Sequence, residues 1–208
     1  MLEKIDNLIK TNTYAGIHIT FSSGGEVGER WRDFIIERNY LPGTTGGGDA
    51  IRALGDRVTI RNNIIDLTGG GTAGITLDPA STAIPAASNF SIYNNTIYSG
   101  SSDFIGIILP PGGTGMIVKN NLGYAPNATS PVLISDSSTG TIKSNNSSDS
   151  QVKNNSATFT TMPPTTPAHY KPTCTTGYPC AQGTSVPVWY DFFGAAEPET
   201  RDIGAVRH

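Results

Sequence analysis

One phrase recurs along the chain: an aliphatic residue, two variable positions, then Asn. It reads Ile36-Glu37-Arg38-Asn39, Ile60-Arg61-Asn62-Asn63, Ile92-Tyr93-Asn94-Asn95, Val118-Lys119-Asn120-Asn121 and Ile142-Lys143-Ser144-Asn145, with steps of 24, 32, 26 and 24 residues. Leu41, Ile65 and Ile97 follow the first three copies two places on, and Asn7 with Ile9 is a degenerate earlier copy. A second phrase falls between them: Gly16-Ile17-His18-Ile19, Ala50-Ile51-Arg52-Ala53, Gly74-Ile75-Thr76-Leu77, Gly106-Ile107-Ile108-Leu109 and, more loosely, Pro131-Val132-Leu133-Ile134. Both phrases alternate apolar and other residues with a period of two, which is a strand signal. A propeller blade needs about four strands in roughly 40–45 residues. Each period here holds two or three in about 25. The expected fold is all-β: a single-stranded, right-handed parallel β-helix over residues 1–155, whose stacked coils share one core. Its inward residues are Phe34 and Ile36, Val58 and Ile60, Phe90 and Ile92, Met116 and Val118, with Ile17, Ile51, Ile75 and Ile107 from the second phrase.

The recurring Asn has two physical uses. It tolerates the left-handed backbone of a tight corner, and its amide can donate to one neighbouring coil while accepting from the other. Asn39, Asn63, Asn95, Asn121 and Asn145 are therefore expected as a structural ladder along the axis. Extra residues in the 32-residue coil should loop out between Leu77 and Phe90.

Composition narrows the function classes. A net charge of −3 argues against a nucleic-acid partner. No apolar run approaches the roughly 18–20 residues of a membrane helix. With two Cys and three scattered His, no metal-ligand cluster is evident. Met1 to Ile9 lacks the basic start and apolar core of a secretory signal. It instead looks like part of a coil, so the chain is expected to be a mature protein or the C-terminal part of a longer one.

The coil phrases "VTIRNNIIDLTGG" and "FSIYNNTIYSG" resemble the pectate-lyase-like superfamily of right-handed parallel β-helices. The C-terminus is similar to the tail of secreted bacterial β-helix proteins, in which Asp-Phe-x-Gly precedes Asp-Ile-Gly-Ala; here these are Asp191 to Gly194 and Asp202 to Ala205. The closing Val206-Arg207-His208 departs from the acidic or aromatic ending of that tail. The resemblance implies a secreted or cell-surface location and a polysaccharide partner. Residues 156–208, rich in Pro and aromatics, read as an irregular capping tail on the last coils, with its aromatics packed on the open end of the core. In an exported protein, Cys174 and Cys180 suggest a local disulfide.

In this superfamily substrates lie over the sheet formed by the second phrase. Its outward column reads His18, Arg52, Thr76, Ile108 and Leu133, and the column two residues on begins with Thr20 and includes Asp78. Adjacent coils place His18 and Arg52 about 5 Å apart. A lyase acting on a uronate needs a base, often Arg or Lys in this superfamily, and a cation on the carboxylate. Arg52 is the expected centre, assisted by His18, Asp49 and Asp78, with Thr76, Thr20 and Trp189 as substrate contacts. The acidic residues are too few to specify a Ca²⁺ site, so a cofactor stays open, and no Asp triplet suggests a glycoside hydrolase. The alternative is a non-catalytic structural or adhesive module, such as a fibre or tailspike-like unit, which self-associates through an exposed N-terminal coil.

Overall fold

The computed structural model describes residues 3–4, 15–19, 31–42, 47–80, 85–154, 159–174, 178–180, 182–188, 190–196 and 202–206. Thr20, Trp189 and the early copy at Asn7 lie outside the described residues. In chain order the strands are β1 (Glu3–Lys4), β2 (Ala15–Ile19), β3 (Ile35–Glu37), β4 (Tyr40–Pro42), β5 (Asp49–Ala53), β6 (Thr59–Arg61), β7 (Ile64–Asp66) and β8 (Ile75–Leu77). Then come β9 (Ser91–Tyr93), β10 (Thr96–Tyr98), β11 (Ile105–Leu109), β12 (Ile117–Lys119), β13 (Leu122–Tyr124), β14 (Val132–Asp136) and β15 (Ile142–Ser144).

They stack into three sheets. The first runs β1-β3-β6-β9-β12-β15, the second β13-β10-β7-β4 and the third β14-β11-β8-β5-β2. Every pairing between these strands is parallel and joins one coil to the next. The protein is thus a right-handed parallel β-helix, as its two recurring phrases predict. Rows of like residues line the interior: Ile36, Ile60, Ile92 and Val118 from the first sheet, and Ile17, Ile51, Ile75 and Ile107 from the third. Burying each such side chain contributes roughly 1.5–3 kcal/mol. No single coil can enclose them, so the stack is the smallest stable unit. The extra residues of the longest coil leave at Asp78 and return at Ala87, whose N–H donates to the Asp78 carbonyl at 3.2 Å.

The corner between the first and second sheets divides its work between two adjacent residues. Arg38, Asn62, Asn94, Asn120 and Asn145 take the left-handed backbone, with φ between 50° and 57°. The next residue of each coil forms the ladder. Asn39 Nδ2 donates to Asn63 Oδ1 at 3.0 Å, Asn63 to Asn95 at 2.9 Å, Asn95 to Asn121 at 3.0 Å, and Asn121 to Asn146 at 2.9 Å. The last rung is therefore Asn146 and not Asn145. In the final coil Ile142 pairs with Ile117, so Lys143 stands in the row of Val118. Ile142 instead faces outward and is 56 % exposed.

A similar shift affects the third sheet. Ser135, not Leu133, continues the row of Ile108. Leu133 turns into the core, where Gly106 and Gly123 leave it room; a Cβ on Gly106 would lie 2.6 Å from Leu133 Cδ1. Helix α1 (Asp149–Asn154) then covers the last coil. It contributes the buried Val152 to the core, and Asp149 Oδ1 accepts from the Leu133 N–H at 2.8 Å.

Among the described tail aromatics, Phe159 and Tyr170 lie on the flank of the β-helix and not on its open end. Phe159 and Tyr170 pack with Tyr40, Tyr98 and Tyr124 on the outer face of the second sheet, with ring centroids 5.3–6.1 Å apart. The physical reason is that this face is itself apolar, with buried Ile64 and Leu122 beside the tyrosines. Parallel sheets are commonly covered on both faces. Ile203, Ala205 and Val206 join the same cluster. Gly204, at φ +109°, sits where a Cβ would come 2.7 Å from Thr96 Oγ1, and that hydroxyl accepts from the Ala205 N–H at 2.9 Å. Cys174 and Cys180 form a disulfide.

Candidate functional site

The outer face of the third sheet gathers the candidate residues. His18, Arg52 and Thr76 are successive register partners on β2, β5 and β8. Asp49 opens β5, and Asp78 follows β8. Arg52 Nε donates to Asp78 Oδ1 at 2.8 Å, with the Arg52 side chain 34 % exposed and that of Asp78 11 %. Burial raises the Asp49 carboxyl above the usual carboxylate range, and the nearby Asp78 charge adds to this. The Thr76 hydroxyl and the positive fields of Arg52 and His18 offset part of it. His18, Asp49, Arg52, Thr76 and Asp78 thus form one cluster, while Thr20 and Trp189 lie outside the described residues.

Below this cluster a groove of about 650 Å³ runs along one side of the third sheet. Gly70, Thr72, Ser101, Asp103, Thr129 and Ser130 supply its polar wall, and Phe104, Ile105 and Val132 its apolar floor. It adjoins the cluster through backbone contact: the Thr72 N–H donates to the Gly48 carbonyl at 3.0 Å, one residue before Asp49. Further along the outer row come Ile108 and Ser135, which are half-buried and carry no charge. Among the described residues no group of three or more His, Cys, Asp or Glu is arranged to hold a metal ion.

The other two sheets carry the tail. Asn145 Nδ2 donates to the Gln182 carbonyl, Asn120 Nδ2 to the Thr184 carbonyl at 2.7 Å, Arg61 Nη1 to the Pro187 carbonyl at 2.9 Å and Asn62 Nδ2 to the Tyr190 carbonyl at 2.5 Å. Residues 182–188 and Tyr190 therefore mark a strap from the last coil back toward earlier ones. Val186 and Val188 rest on Tyr93 of the first sheet, with Ile117 beside them. Between strap and sheet lies a second cavity, of about 260 Å³. Sequence periodicity does not reveal it, because its walls come from segments more than a hundred residues apart. The one local signal is the Asn-Asn doublet, whose first member faces the strap. No model of a known family, no curated protein and no solved structure matches the chain.

Proposed function

We propose that the protein is a secreted or cell-surface β-helix of the pectate-lyase-like kind that binds an acidic polysaccharide along the outer face of its third sheet. One observation carries this reading: Arg52, with His18 beside it on that face, adjoins a groove walled by Gly, Ser and Thr together with Asp103. Small hydroxylated side chains suit a polyhydroxylated chain, and a guanidinium suits its carboxylates. The described tail residues make their contacts with the first and second sheets, which supports the third as the working face.

If the site also cleaves, the reaction is a β-elimination. The C5–H and C4–O bonds of a uronate break, a C4=C5 double bond forms, the base takes the C5 proton, and the departing oxygen takes another. The Arg52 guanidinium, held by its bond to Asp78, suits neutralising the substrate carboxylate better than acting as base. His18 then accepts the proton, and Asp49, its carboxyl held up by burial, returns one. The alternative is a non-catalytic adhesive or structural module. The Arg52–Asp78 pairing, which occupies one donor of the central cation, favours it.

The test is affinity electrophoresis in gels cast with pectate, alginate or a glycosaminoglycan, together with the unsaturated-uronate absorbance of each mixture, with and without Ca²⁺. Binding predicts retardation that falls at least fivefold in R52Q. Retardation without an absorbance rise selects the adhesive module. No retardation in any acidic glycan overturns the proposal.

A further inference from the structure

The groove beside the third-sheet cluster is walled by loops of three successive coils, and bonds between coils hold them in line. The Gly100 N–H donates to Thr68 Oγ1 at 3.1 Å, Asn127 Nδ2 to the Gly100 carbonyl at 2.9 Å, and the Thr129 N–H to the Ser102 carbonyl at 3.0 Å. The Thr72 and Ser101 hydroxyls donate within the protein, to the Gly47 and Thr68 carbonyls. Thr129 and Ser130 are exposed, and their hydroxyls donate to no other described residue. Ile105 and Val132 are register partners and, with Phe104, give the groove an apolar floor.

Charge is unevenly placed on this face. Asp103 is the one charged residue among the described residues that wall the groove. It is exposed and forms no ion pair with another described residue. Arg52 and His18 belong to the adjoining cluster, and Asp49 stands where cluster and groove meet, next to the Gly48 carbonyl that the Thr72 N–H bonds. A uronate lying in the groove therefore sets its carboxylate among hydroxyls and against a like charge, which opposes binding. An uncharged sugar instead donates its hydroxyls to the Asp103 carboxylate, a group that only accepts, and lays its CH face on the floor.

We infer, on the basis of the polysaccharide reading above, that the acidic chain bound on this face is a heteropolymer: a uronate pairs with Arg52, and an uncharged sugar unit selected by Asp103 fills the groove. Asp103 acts in two separable ways. Its charge excludes a carboxylate, and its oxygens accept hydroxyls. Asp103→Asn keeps an acceptor and removes the charge, whereas Asp103→Ala removes both.

Two hexasaccharides test this by calorimetric titration of the full chain: hexagalacturonate, and a chain in which glucuronate alternates with N-acetylglucosamine. The alternating chain is expected to bind at least fivefold more tightly at low salt and to shift the amides of Ser101, Asp103 and Thr129. D103N is expected to raise the affinity for hexagalacturonate at least threefold, and D103A to weaken the alternating chain at least threefold. High salt should narrow the preference, because an exposed charge is screened. R52Q is expected to weaken both sugars. Hexagalacturonate bound by the parent as tightly as the alternating chain, or no more tightly by D103N than by the parent, overturns this inference alone when R52Q still weakens binding. Binding of neither sugar by the parent overturns the polysaccharide reading together with it.

Discussion

Lys143 and Asp136 meet at 2.8 Å across the last rung of the core, in rows that belong to Val118 and Leu109 one coil earlier. The Ser138 hydroxyl and N–H also donate to Asp136, at 2.6 and 3.0 Å. The apolar rows therefore end in a hydrogen-bonded ion pair, and a further coil would find no apolar partner there. Replacing both residues, as in Asp136→Leu with Lys143→Val, continues the rows to an unpartnered edge. Sedimentation is expected to show self-association of the double variant at concentrations where the parent does not associate.

The ladder predicts unequal costs for two neighbouring asparagines. Asn95 is fully buried and bonded to both adjacent coils. Asn95→Ala orphans buried amides and is expected to cost about 1–3 kcal/mol in chemical denaturation. Asn145, exposed and left-handed, makes one bond to the strap. Asn145→Gly keeps the backbone conformation and is expected to cost less than about 1 kcal/mol.

Gly204 tests how the tail is seated. Ala at this position brings a Cβ against Thr96 Oγ1 and the Leu122 side chain, and also strains a φ of +109°. Gly204→Ala is expected to destabilise by about 1 kcal/mol or more. Hydrogen exchange at Ile203 and Ala205 should rise well before that of the core strands.

Two carboxyls give opposite pH signatures. Burial alone would raise Asp136, but bonds from Lys143 and Ser138 hold it below the ordinary value. A lowered folded pKa gives stability that is present above the unfolded value of about 3.9 and lost as pH falls through the folded one. Asp49 is raised, chiefly by burial, so its charge costs stability at neutral pH; the cost shrinks as pH falls below the folded pKa and is gone below the unfolded value of about 3.9. Denaturation across pH 7 to 3 should find Asp49→Asn more stable than the parent at pH 7, with the gap closing on acidification. Asp136→Asn should be less stable at pH 7, with its deficit shrinking only below about pH 4.

The coils were legible because alternation and a constant offset from Ile36, Ile60, Ile92 and Val118 are local properties that stacking reinforces. The final coil broke the offset for a reason local pattern cannot carry. Ile142 satisfies the phrase, but the end of a stack needs a polar rung, so the register slips by one and Lys143, itself exposed, takes the place of Val118 in the row. His18, Arg52 and Asp78 could be placed together because one row per coil follows directly from the repeat. The strap cavity could not, since Arg61 and Asn62 meet main-chain carbonyls 126 and 128 residues away. A carbonyl acceptor leaves no mark on residue identity.

The strap also changes how the molecule must come apart. A bare solenoid is a one-dimensional stack in which each coil is coupled only to its neighbours, so terminal coils can fray independently. Here Gln182, Thr184, Pro187 and Tyr190, close together in the chain, bond to Asn145, Asn120, Arg61 and Asn62 of different coils. Peeling away the last coil therefore pulls on contacts three coils earlier. Coupling of this range turns gradual fraying into cooperative opening. Because the strap follows the coils along the chain, that cooperativity arrives only once the coils beneath it have been made.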